Sequence, residues 1–389
     1  MADKASLLVL FSDTGGGHRS AGEAVIEALK RDYPGRFEIQ FVDAFKEYAP
    51  PPLNLLPSLY PEMVRYPSLW KMGYRLSDGR RRARAINRTS WPYVRRAVHR
   101  LILEHSADLV VSFHPLFVAP YLYGREQRSV PFLVVVTDLV SAHSLWYSSE
   151  ADLTLVPTEQ ARQRALDNGL APDKVQVTGL PVEQRFCEPP GGRDKLRAAL
   201  GWPADLPIVL LVGGGEGMGP LSETARAIAA LPEPLGLAIV AGRNSRLKAA
   251  LESSVWDIPA FIYGFERRMP QLMRAADLIV TKAGPGTITE AINAHLPMVL
   301  YSCLPGQEEG NVDFVVDQGL GVWAPSPEQS ATAVLRWLKS PELRIAAARR
   351  CAQVARPEAA ARIAGVIADQ LSITPAARSG EPPFRSATA

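Results

Sequence analysis

The chain has 389 residues, 47% hydrophobic and 21% charged, with a formal net charge of +3; this is the balance of a soluble globular protein too long for one ordinary core. No apolar run approaches the roughly 18 residues of a membrane span, and the early "LLVLF" is too short for a signal-peptide core. Cys187, Cys303 and Cys351 stand far apart with no CxxC pair, which argues against a disulfide framework or zinc site and suits a reducing cytosol.

Short apolar runs alternate with helical patterns along the whole chain. "LLVLF", "FEIQFV", "DLVVSF", "FLVVVT" and "LTLVPT" are candidate strands of a first half. "PIVLLV", "LGLAIV", "AFIYG", "DLIVT" and "PMVLY" are those of a second. Runs this apolar suit strands covered by helices on both faces, as in parallel sheets. The pattern occurs twice, which implies two doubly wound α/β domains. The breaker cluster "EPPGGRD" puts their boundary between Pro181 and Pro207, giving domains over 1–185 and 186–372. The last helix is a candidate to return to the first domain. The remainder, 373–389, reads as a disordered tail.

Between the first strand and the first helix lies "SDTGGGHRSAGEA". Gly15, Gly16 and Gly17 open the backbone to close approach by an anion, although the spacing fits neither G-x-G-x-x-G nor Walker A. Ser20 and Glu23 fit a capping box that starts a helix at about Ala21. His18 then lies just ahead of a positive helix end, which favours a neutral imidazole able to accept a proton; a local turn histidine is the plainer explanation. Residues 49–62 are proline-rich and read as an irregular insertion. From Arg65 to Arg100 eleven Lys/Arg face one acid, Asp78, so this stretch carries +10 and the rest of the chain −7. Arg80, Arg81, Arg82 and Trp70 belong to it. A solvated helical face explains such a run; an anionic membrane surface, with aromatics at headgroup level, is the sharper alternative. Charge alone also fits nucleic acid. Further on, "SFHP" places His114 at a strand end. "VVVTDLVSAHSLW" does the same for Asp138 and His143, candidates for general base or base-orienter.

The second half repeats the glycine device. "LLVGGGEGMGP", with Gly215 and Glu216, follows a strand, as does "VTKAGPGTITEAI", with Gly284, Pro285, Gly286, Thr287 and Glu290. Thr287 and Glu290 also have capping-box spacing. "AGRN" offers Arg243 to a diphosphate, beside Asn244. "LPGQEEGN" offers Gln307, Glu308 and Asn311, the mixed donors and acceptors that sugar hydroxyls need.

In this order, "SDTGGGHRSAGEA", "SFHPL", "VVTDL", "GLPV", "LLVGGGEGMGP", "GRN", "KAGPGTITEA" and "LPGQEEGN" resemble the monogalactosyldiacylglycerol synthases and processive diacylglycerol glucosyltransferases of glycosyltransferase family 28. The resemblance implies a GT-B fold, two Rossmann-like domains facing across a cleft. It implies inverting transfer of a hexose, galactose or glucose, from a UDP-sugar to diacylglycerol. By position, the Gly264–Phe265 backbone would meet uracil and Glu290 the ribose. Gly284, Gly286 and Thr287, with Arg243, would cradle the diphosphate, Gly215, Glu216, Asn244 and Pro285 would also bind the donor, and Gln307 and Glu308 would touch the hexose, with Asn311 nearby. His18 would be the catalytic residue, with Asp138 second. Gly16, Gly17, His114, His143, Trp70 and Arg80–Arg82 would lie on the acceptor and membrane side. No cofactor or metal is expected, and no nucleic acid. The expected partners are a UDP-hexose, diacylglycerol and an anionic membrane, met from the cytoplasm at its inner face. Two rivals share the fold: a transferase making the lipid-linked peptidoglycan precursor, and a UDP-sugar epimerase. A non-catalytic UDP-sugar-binding protein is a third.

Overall fold

Strands β1 (Ala5–Phe11), β2 (Phe37–Asp43), β3 (Leu109–Ser112), β4 (Phe132–Val135), β5 (Leu153–Val156) and β6 (Val175–Val177) form one parallel sheet in the order β2-β1-β3-β4-β5-β6. Strands β7 (Ile208–Val212), β8 (Gly236–Val240), β9 (Ala260–Tyr263), β10 (Leu278–Lys282), β11 (Met298–Ser302) and β12 (Gly321–Trp323) form a second, also parallel, in the order β12-β11-β10-β7-β8-β9. The computed structural model describes residues 4–375 except 15, 65, 126–129, 189–191 and 218. The tail beyond 375, Gly15 and Arg65 therefore lie outside the described residues.

The continuous apolar runs resolve into two faces. On β1, Leu8 and Leu10 join one core, with Val110 and Val134, while Leu7, Val9 and Phe11 join another beneath the helix Gly17–Asp32. On β7, Ile208, Leu210 and Val212 face one way and Val209 and Leu211 the other. β6 and β12 leave no run in the sequence, because each is a three-residue edge strand with one buried position. The final helix, Ala359–Gln370, packs Ile363, Ala364, Ile367 and Ala368 into the core of the first sheet.

Two helix starts differ from expectation. The first helix begins at Gly17, because Gly16 turns the chain with φ 78°, a left-handed conformation suited to glycine. No hydroxyl caps it. Ser20 instead donates to the Gly17 carbonyl, and Glu23 stands 3.8 Å from Arg19. Likewise the helix Pro285–Asn293 starts directly after Gly284, with Pro285 supplying a pre-set first turn, so Thr287 and Glu290 lie inside it. The proline-rich insertion is not wholly irregular: residues Leu56–Met63 are helical. With helices Pro67–Ser77 and Arg80–Glu104 they form an arm between β2 and β3.

Strand order reverses between β1 and β3, and again between β7 and β10. Loops leaving the carboxyl ends of strands at such points form the ligand crevice of open sheets. All three glycine loops and His114 emerge there. The two crevices meet: Gln307 Nε2 donates to Asp138 Oδ1 at 3.2 Å, and Lys71 Nζ reaches Glu309 at 2.6 Å.

Candidate active site

His18 sits in the first turn of its helix, at the β1 end. Its Nδ1 lies 2.7 Å from the Thr137 hydroxyl. Burial lowers its pKa to about 4, with a smaller opposing effect from the Phe113 carbonyl. The imidazole is therefore neutral at physiological pH and able to take a proton. His114 packs edge-on against it, ring centres 4.6 Å apart. His114 is itself buried, and its Nδ1 caps the following helix by accepting from Leu116 N–H at 3.3 Å. Its Nε2 meets the Thr14 hydroxyl at 3.0 Å. That bonding, and a pKa driven well down by burial, make His114 a neutral wall of the site.

Asp138 is buried, and both its oxygens are engaged. Oδ2 accepts from Trp146 Nε1 at 2.7 Å and Oδ1 from Gln307. Burial raises its pKa. As a base-orienter for His18 it is displaced by Thr137, which holds Nδ1. His143 also departs from a chemical role. Its Nδ1 caps the short helical turn Ser144–Trp146, and its Nε2 pairs with Ser77 at 3.0 Å. Its ring lies edge-on to Tyr74 at 4.9 Å, so it pins the helix Pro67–Ser77. Trp70 turns inward against Tyr60, ring centres 5.6 Å apart, rather than outward to headgroups. Arg80, Arg81 and Arg82 are exposed, and Arg82 donates to the carbonyls of Arg75 and Asp78.

Across the crevice, the loops after β7 and β8 nest backbone to backbone. A Cβ on Gly217 would stand 2.3 Å from the Ala241 carbonyl oxygen, and one on Gly242 2.4 Å from that of Gly215. Arg243 emerges between them. It pairs with Glu216 at 2.8 Å, lies 4.5 Å over the Phe265 ring, and faces Gly16 of the first domain. The neighbouring Gly264 packs against Lys248. Asn244 is committed to capping, accepting from Leu247 N–H at 3.0 Å. Glu290 lines the crevice with Pro285 and Gly286, and burial, with the charge of Glu183, pushes its pKa up to about 7.

The polar loop is more tightly tied than its sequence suggests. Glu308 is 3% exposed; Oε1 accepts from Lys282 at 2.6 Å and Oε2 from Leu304 N–H at 2.8 Å. Asn311 donates to the Ala283 carbonyl at 2.9 Å. Both residues lock this loop onto the end of β10, so neither stands free for a sugar in this state. Gln307 Oε1 and Asn311 Oδ1 are buried without a hydrogen-bond partner. Thr137, Trp146 and Lys282 also belong to the site, though none stands out in the sequence as a candidate. Only Lys282 carried a local signal, as a cation immediately before a glycine loop.

Three cavities run through these residues. The largest, about 670 Å³, lies under the arm, between Tyr60, Leu69, Trp70 and Tyr74 on one side and His18, His114 and Asp138 on the other. A small one of about 90 Å³ joins His18, Thr137 and Asp138 to Lys282, Gly286 and Glu290. A third, about 470 Å³, lies between Glu62 and Pro67 of the arm and Gly217, Asn244, Lys282 and Glu308. His18 and Asp138 line the first two; Lys282 and Glu308 line the last two. An apolar cavity and a glycine-rich crevice thus share one wall, made of a neutral histidine and a buried carboxylate. Over the arm, Leu59, Met63, Tyr66, Leu69, Met72 and Leu76 are 44–66% exposed. No helix among the described residues is long and apolar enough to cross a membrane.

Comparison with known proteins agrees with this layout. Residues 18–182 match the family model for monogalactosyldiacylglycerol (MGDG) synthase, and residues 208–354 the glycosyltransferase family 28 C-terminal domain. A probable monogalactosyldiacylglycerol synthase 2, chloroplastic, of Oryza sativa subsp. japonica is 39% identical over 85% of this chain and 73% of its own. Monogalactosyldiacylglycerol synthase 2, chloroplastic, of Arabidopsis thaliana is 37% identical over 86% and 74%. Among solved structures, Acinetobacter baumannii MurG superposes with a TM-score of 0.61 at 18% identity, covering 94% of this chain and all of its own. Anabaena Alr3699/HepE in complex with UDP-glucose gives 0.54 at 15%, covering 95% and 99%. These structures share the GT-B fold. By its matched models and by relatives this similar over most of both chains, the protein belongs to the monogalactosyldiacylglycerol synthase family of glycosyltransferases.

Proposed function

We propose that this protein transfers a galactosyl group from UDP-galactose to the free hydroxyl of diacylglycerol, with inversion at the anomeric carbon. One observation carries the reading: His18 and Asp138 wall both the apolar cavity under the arm and the crevice fed by the glycine loops. A lipid acceptor fits the first space and a nucleotide sugar the second. The names of the relatives favour galactose.

The chemistry follows from the groups present. The neutral imidazole of His18 takes the proton of the acceptor hydroxyl as its oxygen attacks the anomeric carbon. The bond from that carbon to the phosphate oxygen breaks, and its electron pair leaves with UDP. A single displacement inverts the configuration. Backbone amides at the glycine loops, with Arg243, meet the charge that develops on the diphosphate. The protein works without a bound cofactor or metal in this scheme. It rests on the inner, cytoplasmic face of a membrane through the exposed apolar face of the arm, flanked by Arg75, Arg81 and Arg82.

The decisive experiment incubates the purified protein with diacylglycerol vesicles and a panel of UDP-sugars, then reads lipid products by mass and anomeric configuration. A β-linked monogalactosyl lipid is expected. A glucosyl product instead would correct the sugar; an epimerised nucleotide or no lipid product would overturn the reading.

A further inference from the structure

A nucleotide sugar brings a diphosphate with about two negative charges into the crevice. The described residues that line the three cavities include Asp138, Glu183, Glu216, Glu290 and Glu308, but one Lys or Arg side chain alone, Lys282. Arg243 stands outside this set, half-exposed and paired with Glu216.

Lys282 is placed by the sheet itself. It is the last residue of β10, where pairing with β11 slips: Thr281 faces Leu300, but Lys282 faces Ser302. The slip re-aims a side chain at the end of the strand, and this one enters the crevice at the switch point. Two glycines make room for it. A Cβ on Gly284 would stand 2.9 Å from its Nζ, and one on Gly214 3.2 Å from its Cε. The ammonium therefore sits between two of the glycine loops. Its partner is Glu308, at 2.6 Å, with side-chain exposures of 20% for the lysine and 3% for the glutamate.

We infer that Lys282 joins Arg243 in binding the donor diphosphate and meeting the charge of the departing UDP, exchanging Glu308 for phosphate as the donor enters. The inference rests on the proposed function and adds to it a residue and an exchange. Without donor, Lys282 and Glu308 satisfy each other. With the diphosphate in place, Nζ turns to phosphate oxygen, and Glu308 Oε1 is released to accept from a hexose hydroxyl while Oε2 keeps its bond from Leu304. The tie that withholds Glu308 from the sugar is thus the one the donor itself breaks.

Titration calorimetry of the full chain with UDP, and separately with uridine, tests this without lipid or turnover. Lys282→Met should weaken UDP binding at least about tenfold and leave uridine within about twofold, since a charge-assisted contact to phosphate is lost and no contact to the nucleoside. Lys282→Arg should retain most of the UDP affinity. Removing one partner of a buried pair strands the other charge, so Lys282→Met/Glu308→Gln is the control that leaves neither charge unmatched. It should show the same loss, selective for UDP over uridine. UDP affinity unchanged in both methionine variants, or UDP and uridine weakened alike in the double variant, would overturn the assignment. Wild-type protein that binds neither compound would instead bring down the donor reading beneath it.

Discussion

His18 owes its chemistry to where the chain turns. Gly16 ends the loop in a left-handed conformation, the helix begins at once, and the imidazole is carried down beside Thr137, where burial keeps it neutral. No carboxylate holds its Nδ1. We expect His18→Ala to lower kcat by about 10²–10⁴-fold, the range of a lost general base, while UDP affinity measured by titration stays near wild type. Unchanged turnover in the folded variant would remove His18 from the reaction. The depressed pKa fixes a second expectation. Its folded value of about 4 lies below the ordinary 6.5, so the unfolded chain binds the extra proton between the two. The stability contributed by neutral His18 is complete above about pH 6.5 and is lost as pH falls toward 4. Chemical denaturation at pH 7 and pH 5 should therefore show a smaller loss of stability for His18→Ala than for wild type. The histidine was legible in the sequence because three glycines precede it. The ties on Asp138 were not: one runs eight residues along the chain to Trp146, the other spans 169 residues to Gln307. The second exists only once the two halves face each other.

The helix Pro67–Ser77 divides its sides between two environments. Met72 and Leu76, four residues apart, are 55% and 66% exposed, whereas Leu69, Trp70 and Tyr74 line the cavity. Its far end is pinned: Tyr74 donates to the Ser141 carbonyl at 2.6 Å, Ser77 meets His143, and Asp78 accepts from Ser144 N–H at 2.9 Å. Exposed apolar residues beside arginines suit a bilayer interface. Met72→Glu/Leu76→Glu should reduce co-sedimentation with anionic vesicles several-fold and leave thermal stability nearly unchanged, because neither side chain is buried or lines the cavity. Wild-type binding should weaken as salt rises. Equal binding to neutral and anionic vesicles would separate this helix from its basic flank. Composition disclosed the charge and the aromatic content of this arm, but not the rotation of its helices. That is why composition, which places Trp70 on the acceptor and membrane side, does not tell that its ring faces the cavity rather than headgroups.

At the scale of the whole molecule, the two parallel sheets were readable because their strands are covered on both sides and so form unbroken apolar runs. Their edges were not, since β6 and β12 bury too little to leave a pattern. The facing of the two crevices followed from strand order, which periodicity cannot supply. The return of Ala359–Gln370 has a measurable weight. Ile363 is fully buried in the core of the first sheet, so Ile363→Ala should cost about 2–5 kcal/mol in chemical unfolding. A cost below about 1 kcal/mol would show that this helix is only loosely docked.

That return makes the second sheet a passenger in the middle of the chain, entered once and left once. The two crossings run side by side. Gly179 adopts φ 91° on the outward one, and a Cβ there would press within 2.9 Å of Arg356 and Ala359 on the way back. The two crossings therefore touch, and a side chain added to one presses directly on the other. Gly179→Ala would force the crossings apart and hold an alanine at positive φ, at a strain of about 1–3 kcal/mol, which loosens the union of the two sheets without touching either core.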